Sequence, residues 1–292
     1  MTKRLNAAPL LSAILSVYGA AASAADGPWL EKEIQKAKSG ATVQIPAGVH
    51  ILTDLKLYKS VALVGSPDGK TVLRSAEVTE KGILVPLSGV DLKVENITFE
   101  GARSWDRNGA GIRHEGRNLT IVNCRFISNE DGLLATGDAG GTITIRNSAF
   151  IDNGFGDGMS HAIYVLNSAK LDIDKSRFEG TRIGHHVKSL ADETIVRNSV
   201  LDDGYGRGSY ALDASKGGAV TFEGNTVTQA ADGAGREDPL DAHRLEAVDV
   251  RPEVQLGGQD LVAGAMTREK GDALAAKRAN HIGARRFAKR RA

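Results

Sequence analysis

One short phrase, apolar–x–Asn–x–x–Phe, recurs along the chain and limits what it can fold into. It reads Val94-Glu95-Asn96-Ile97-Thr98-Phe99, then Ile121-Val122-Asn123-Cys124-Arg125-Phe126, then Ile145-Arg146-Asn147-Ser148-Ala149-Phe150. Ile173-Asp174-Lys175-Ser176-Arg177-Phe178 keeps the pattern with Lys for Asn, and weaker copies centre on Asn198 and Asn225. The spacing of 23 to 28 residues lies in the range of solenoid repeats. Short strands turn alternate side chains to opposite faces. A single coil cannot bury its apolar side chains, but stacked coils can. Asn suits the bend between two strands because it tolerates left-handed backbone geometry and can bond along the stack. Phe99, Phe126, Phe150 and Phe178 are expected to stack inside. Cys124 is the single cysteine, so it forms no internal disulfide, and its setting is that of a small buried hydrophobe.

Other repeat architectures fit less well. The leucine spacing of a leucine-rich repeat is missing, and a propeller blade needs about 40 residues. The loops are too short for the crossover helices of an ordinary α/β sheet. With 34 glycines and only 5% aromatic residues, the composition suits thin repeated layers. The net charge of +1 gives no general affinity for polyanions.

The N-terminal residues read as a secretory signal peptide over 1–24. Lys3 and Arg4 form a positive start, Leu10 to Ala22 an apolar stretch, and Ala22-Ser23-Ala24 a small-x-small cleavage pattern. The alternative is an uncleaved anchor. Export would put the protein in the periplasm or outside the cell. The solenoid is assigned to 25–232 and a non-repeat segment to 233–292. Trp29, Leu30, Ile34 and Ala37 have helical spacing and predict a helix over 29–37 that caps the open N-terminal end. Ala41 to Gly48 and Ser60 to Gly65 read as short strands ended by turn residues.

These opening segments resemble those of pectin-lyase-like parallel β-helix proteins: a cap helix, then Gly40-Ala41-Thr42-Val43-Gln44-Ile45-Pro46-Ala47-Gly48, then Lys59-Ser60-Val61-Ala62-Leu63-Val64-Gly65. From Asn96 to Asp232 the chain resembles exported right-handed β-helix proteins of alphaproteobacteria. The phrases that carry this are Asn108-Gly109-Ala110-Gly111-Ile112-Arg113, Asn153 to Gly158, His161-Ala162-Ile163-Tyr164-Val165, Ile183 to Ser189 and Ser209 to Asp213. The resemblance implies an all-β fold, a right-handed parallel β-helix solenoid with an N-terminal cap helix. It implies no particular reaction.

Chemistry-bearing residues gather where one strand of each coil is aligned on Ile112, Leu133, Ile163, Val187 and Leu212 as inward positions. The following residues, Arg113, Leu134, Tyr164, Lys188 and Asp213, then form an outward column with neighbours about 4.8 Å apart. Two residues before each inward position stand Ala110, Asp131, His161, His185 and Tyr210, at a bend that leaves their direction open. His186 is expected to face outward beside Lys188. One reading is β-elimination or C5 epimerisation of a uronate polysaccharide, which needs a cation for the carboxylate, a base and an acid. Arg113 or Lys188 would supply the cation, and His161, His185 or His186 the base, since imidazole titrates near neutrality. Tyr164 would be the acid, with Asp213 orienting Lys188 or a histidine. Tyr210, Asp131 and Asp157 complete the set as substrate-binding candidates.

The other reading is structural: Lys188–Asp213 as a cross-strand ion pair, the histidines bonded to one another, and Tyr164 and Tyr210 as platforms for sugar rings without catalysis. Glycoside hydrolysis needs two carboxylates about 5 to 9.5 Å apart, and Asp131, Asp157, Asp202 and Asp203 suggest no pair. The Asn-Thr-Asp and Gly-His-Gly phrases of polygalacturonases are absent, as are the calcium-binding Asp pattern and Arg-x-Pro-x-x-Arg of pectate lyases. His161, His185, His186 and Asp131 offer metal-ligand types but no ligand spacing, and Asp152 to Gly158 resembles a calcium loop only in composition. No metal or cofactor is expected. The tail from Arg268 to Arg291 is strongly basic. In an exported protein its natural counterpart is an acidic polysaccharide or an anionic membrane surface rather than nucleic acid.

Overall fold

The computed structural model describes residues 27–75, 78–204, 207–216, 218–229, 240–241, 245–256 and 259–262. The signal-peptide segment, the solenoid boundary at 232 and the basic tail lie outside these residues.

The repeat phrase marks one corner of a coil built from three strands. A typical coil runs Leu119–Val122, Arg125–Ile127 and Asp131–Ala135. Each strand pairs in parallel with its counterparts in the coils before and after. Stacking gives a 17-stranded sheet, holding the first two strand types, and an eight-stranded sheet of the third type. The register is the one the repeat dictates: Phe126 pairs with Phe99 and Phe150, and Phe150 with Phe178. The four rings are buried and stacked, with centroids 4.8, 4.6 and 5.0 Å apart.

The repeat positions take up left-handed geometry at Asn96, Asn123, Asn147 and Asn198, with φ of 58°, 53°, 50° and 49°, and at Lys175 with 52°, but in the copy centred on Asn225 it is Gly224, at 62°, that holds the corner. Most bonding along the stack falls to the next residue instead. The Cys124 N–H donates to Ser148 Oγ, the Ser148 N–H to Ser176 Oγ, the Ser176 N–H to Ser199 Oγ and the Ser199 N–H to Asn225 Oδ1. This hydroxyl ladder satisfies corner amides that strand pairing leaves free. A second amide ladder at another corner was not foreseen: Asn129 and Asn153 are buried, and Asn129 Nδ2 donates to Asn153 Oδ1. Cys124 is buried at the end of the hydroxyl ladder, and burial pushes its thiol up to about 12.

The cap helix spans Gly27–Lys36 and buries Leu30 and Ile34 against the first coil. Lys59 Nζ closes its C-terminal end on the Gln35 and Ala37 carbonyls, at 2.6 and 2.7 Å. Trp29 does not join the core as its spacing suggests: it is 41% exposed. Among the described residues, no helix is long and apolar enough to cross a membrane.

Candidate functional site

The eight-stranded sheet carries the column read from the repeat, in the expected register. Arg113 pairs with Leu134, Leu134 with Tyr164, Tyr164 with Lys188, and Lys188 with Asp213. Lys188 Nζ stands 5.1 Å from the centre of the Tyr164 ring and 3.6 Å from Asp213 Oδ2.

The residues preceding the column lie on the same outer side. The His161 ring stacks on His185 at 4.7 Å and meets Tyr164 edge-on at 5.0 Å. Tyr210 tilts against His185 at 5.2 Å. His185 Nε2 lies 3.2 Å from Asp213 Oδ2, and the His185 N–H donates to His161 Nδ1 at 3.0 Å. Asp131 Oδ1 accepts the His161 N–H at 2.7 Å. Strict alternation, which would send this row into the core, breaks down at the bend where each strand begins.

His186 corrects the sequence expectation. It is buried, its Nδ1 is hydrogen-bonded to Thr181 Oγ1 at 2.7 Å, and its ring faces Phe178 from inside the solenoid. The preceding coils hold Gly111, Gly132 and Ala162 at this position. A Cβ on Gly132 would lie 2.7 Å from Phe150 Cδ1, so a phenylalanine in the following coil leaves room for nothing larger than the Ala162 methyl. After His186 the following coil carries Leu201 in place of Phe, and an imidazole fits. Asp157 lies near enough to Asp131 to raise its carboxyl but is not part of the row. It is exposed in a loop, and its Oδ1 accepts the Met159 N–H at 3.0 Å.

Burial and charge sort the protonation states. Burial pushes His161 down to about 3, helped by the neighbouring His185 and Lys188, so its ring is neutral. Burial alone would raise Asp213, but hydrogen bonds from His185 and Ser215 outweigh it and hold the carboxyl at about 2. Burial pushes Asp131 well above the ordinary carboxyl range, and the Arg113 charge only partly opposes this. Burial, with Asp213 and Asp131 nearby, also raises the Tyr164 phenol.

Buried polar atoms without a hydrogen-bond partner mark the site more sharply than the residue types do. Among the described residues there are six, and four of them are Arg113 Nε, Asp131 Oδ2, His161 Nε2 and His185 Nδ1. They fall on four consecutive coils of one sheet. Each such atom costs about 1–3 kcal/mol, and their concentration on one face is characteristic of a binding or catalytic site. No group of three or more potential metal ligands converges among the described residues.

Sequence reading missed the wall beside this row. Trp105 is 86% exposed and Met159 75%, on the loops that lead into the strands at Ala110 and Ile163. The Arg107 guanidinium lies over the Phe155 ring at 4.8 Å and ties the two loops together. Glu130, in the short turn between them, anchors the first loop by accepting the Ser104 and Gly109 N–H groups at 2.7 and 2.8 Å. The only signal in the sequence was the length of these two loops against the short 128–130 turn.

A solved structure shares the architecture. Among solved structures, a mutant of the PL6 family alginate lyase AlyGC superposes with a TM-score of 0.50 at 15% identity, over 77% of this chain and 38% of that one. The Geobacillus virus E2 ORF18 protein gives a TM-score of 0.48 at 13% identity, over 78% of this chain and 57% of its own. The chain thus spans well under two thirds of both, and at these identities the first likeness speaks to fold alone. No curated protein matches. The family described as "Right handed beta helix region" matches residues 81–236, more than half of the chain, and the protein belongs to that family.

Proposed function

We propose that the protein is exported and that the outer face of its eight-stranded sheet binds an acidic polysaccharide and acts on it as a uronate lyase or C5-epimerase. The observation that carries this reading is the His185–Asp213 pair beside Lys188 and Tyr164. Asp213 is ionised at working pH and accepts from His185 Nε2. When the His185 ring is neutral, this contact favours the proton on Nε2 and leaves the lone pair on Nδ1, which has no hydrogen-bond partner. A carboxylate-held imidazole with one free nitrogen is a general base. The raised Tyr164 phenol stays protonated and suits the acid that protonates a leaving oxygen or the opposite face of a sugar ring. Trp105 and Phe155 offer aromatic faces for sugar rings beside this centre. The basic residues from Arg268 to Arg291 would hold the protein to the same kind of acidic polymer or to an anionic membrane surface.

A second reading, a glycan-binding or envelope-structural protein without turnover, is favoured by one observation. His161 is fully buried and the His185 side chain only 12% exposed. Incubation with a panel of uronate polysaccharides separates the two. Absorbance from an unsaturated product reports lyase activity, and exchange of the C5 proton with deuterated solvent reports epimerisation. Silence in both assays, with binding intact in His185→Ala, leaves the non-catalytic reading standing.

A further inference from the structure

The four unpartnered atoms divide by chemistry. Arg113 Nε can only donate. His161 Nδ1 accepts the His185 N–H, so the proton of its neutral ring sits on Nε2, which therefore donates. Asp131 is buried to 1% exposure, with one oxygen bonded to the His161 N–H and the other bonded to nothing. Its environment favours the neutral acid, and a carboxylic acid carries an O–H donor. Three donors on three consecutive coils thus stand without acceptors, while the fourth atom, His185 Nδ1, is the lone pair assigned above as base.

We propose that Arg113, Asp131 and His161 form a carboxylate-binding subsite in which all three donate, Asp131 as a protonated acid, so that the face selects uronates over neutral sugars. This rests on the reading of the face as a uronate site and names what makes it one. A carboxylate is the group best matched to a run of donors without acceptors. Setting it there places the adjacent C5–H toward the His185 side of the row, and drawing off carboxylate charge lowers the cost of removing that proton. The three atoms are enclosed, so entry of the ligand requires the side chains of Arg113, 19% exposed, and the partly exposed Tyr164, which flank Leu134 on the outer face, to move aside. The charged and titratable groups around Asp131 are Arg113, Glu130, Asp157, His161 and Tyr164. Arg113 is held only loosely by Glu115, Nε to Oε1 at 3.8 Å, and is free to turn to a ligand.

Two measurements on the full-length protein test this. The first needs no ligand: an infrared difference spectrum between wild type and Asp131→Asn at neutral pH. A protonated-carboxyl C=O band that disappears in the variant supports the subsite, and an ionised Asp131 overturns it. The second is calorimetric binding of oligouronates and of their carboxyl-reduced counterparts. Wild type is expected to prefer the ionised oligouronate by at least about tenfold. Asp131→Asn, which always donates, should keep that preference and hold it to higher pH than wild type. Asp131→Leu, of similar size and unable to donate, should lose about tenfold in oligouronate affinity. Equal loss in Asn and Leu variants that both fold, or equal affinity for charged and reduced sugars, overturns the proposal. Preferential uronate binding without product or C5 exchange removes the catalytic reading and leaves the subsite in place.

Discussion

His185 Nε2 and Asp213 Oδ2 lie 3.2 Å apart across the boundary between two consecutive coils. The pair exists only because parallel pairing puts Lys188 opposite Asp213 and the bend before Val187 turns His185 outward. Replacing Asp213 by Asn keeps the shape but permits the wrong tautomer, with a proton on Nδ1. Turnover of a uronate polymer should then fall by about 10²-fold or more, with little change in KM. A loss carried by KM alone would make the pair a structural contact.

Tyr164→Phe removes the phenol but keeps the ring that Lys188 covers. Activity should drop by about 10²-fold while polysaccharide affinity stays near wild type. A variant as active as wild type would exclude Tyr164 as the acid.

Acid should unfold the protein through its buried histidines. Burial lowers His114 to about 4, and His161 and His186 to about 3, against 6.5 in the unfolded chain. Their contribution is therefore complete above about pH 6.5 and is lost as pH falls toward the folded values, each costing up to about 1.4 kcal/mol per pH unit. Asp131 works in the opposite sense: its raised folded value gives stability below its unfolded 3.8 that is lost as pH rises. Urea unfolding at pH 7, 6 and 5 in an Asp131→Asn background isolates the histidines. Equal stability at pH 7 and 5 would contradict this account.

The inward turn of His186 depends on Leu201. Leu201→Phe alone should destabilise by about 1–3 kcal/mol through overpacking. His186→Ala alone leaves a void and frees the Thr181 hydroxyl, at about 1–3 kcal/mol. The double variant restores the Phe-plus-small arrangement of the earlier coils, so its loss should fall short of the sum by more than about 0.5 kcal/mol. Strict additivity in chemical denaturation would show that the two positions do not share the space.

The exposed Trp105 ring does little for folding, so Trp105→Ala should change stability by less than about 0.5 kcal/mol, whereas Phe155→Ala also loses the Arg107 contact and should cost about 0.5–1 kcal/mol. Both should weaken binding of long polysaccharide chains several-fold. Unchanged affinity would mean that the wall does not contact sugar.

The column of Arg113, Tyr164, Lys188 and Asp213 was legible in the sequence because a parallel stack converts repeat spacing directly into register. The Phe stack and the cap helix were legible for the same reason of period. What escaped was direction at the bends. Nothing local to His185-His186-Val187 says that the first histidine turns out and the second in. That is settled by a leucine fifteen residues after His186, in the next coil. The orphaned Asp131 oxygen was equally invisible, since burial at a strand start depends on loops from two other coils. The serine ladder hid because Ser148, Ser176 and Ser199 look like ordinary turn residues until their hydroxyls line up.

The corner ladders also bear on how such a chain tolerates change. Because parallel strand pairing joins the coils throughout, and like corner bonds join those from Cys124 to Asn225, a whole coil can in principle be duplicated or deleted without mismatching its neighbours. The candidate site has no such freedom. One extra coil between Tyr164 and Lys188 would part them by a further strand spacing of about 4.8 Å and dissolve the site while leaving the solenoid intact. Length is thus negotiable toward the two ends of this protein and fixed across the four coils from Arg113 to His185 and the Asp213 coil that follows them.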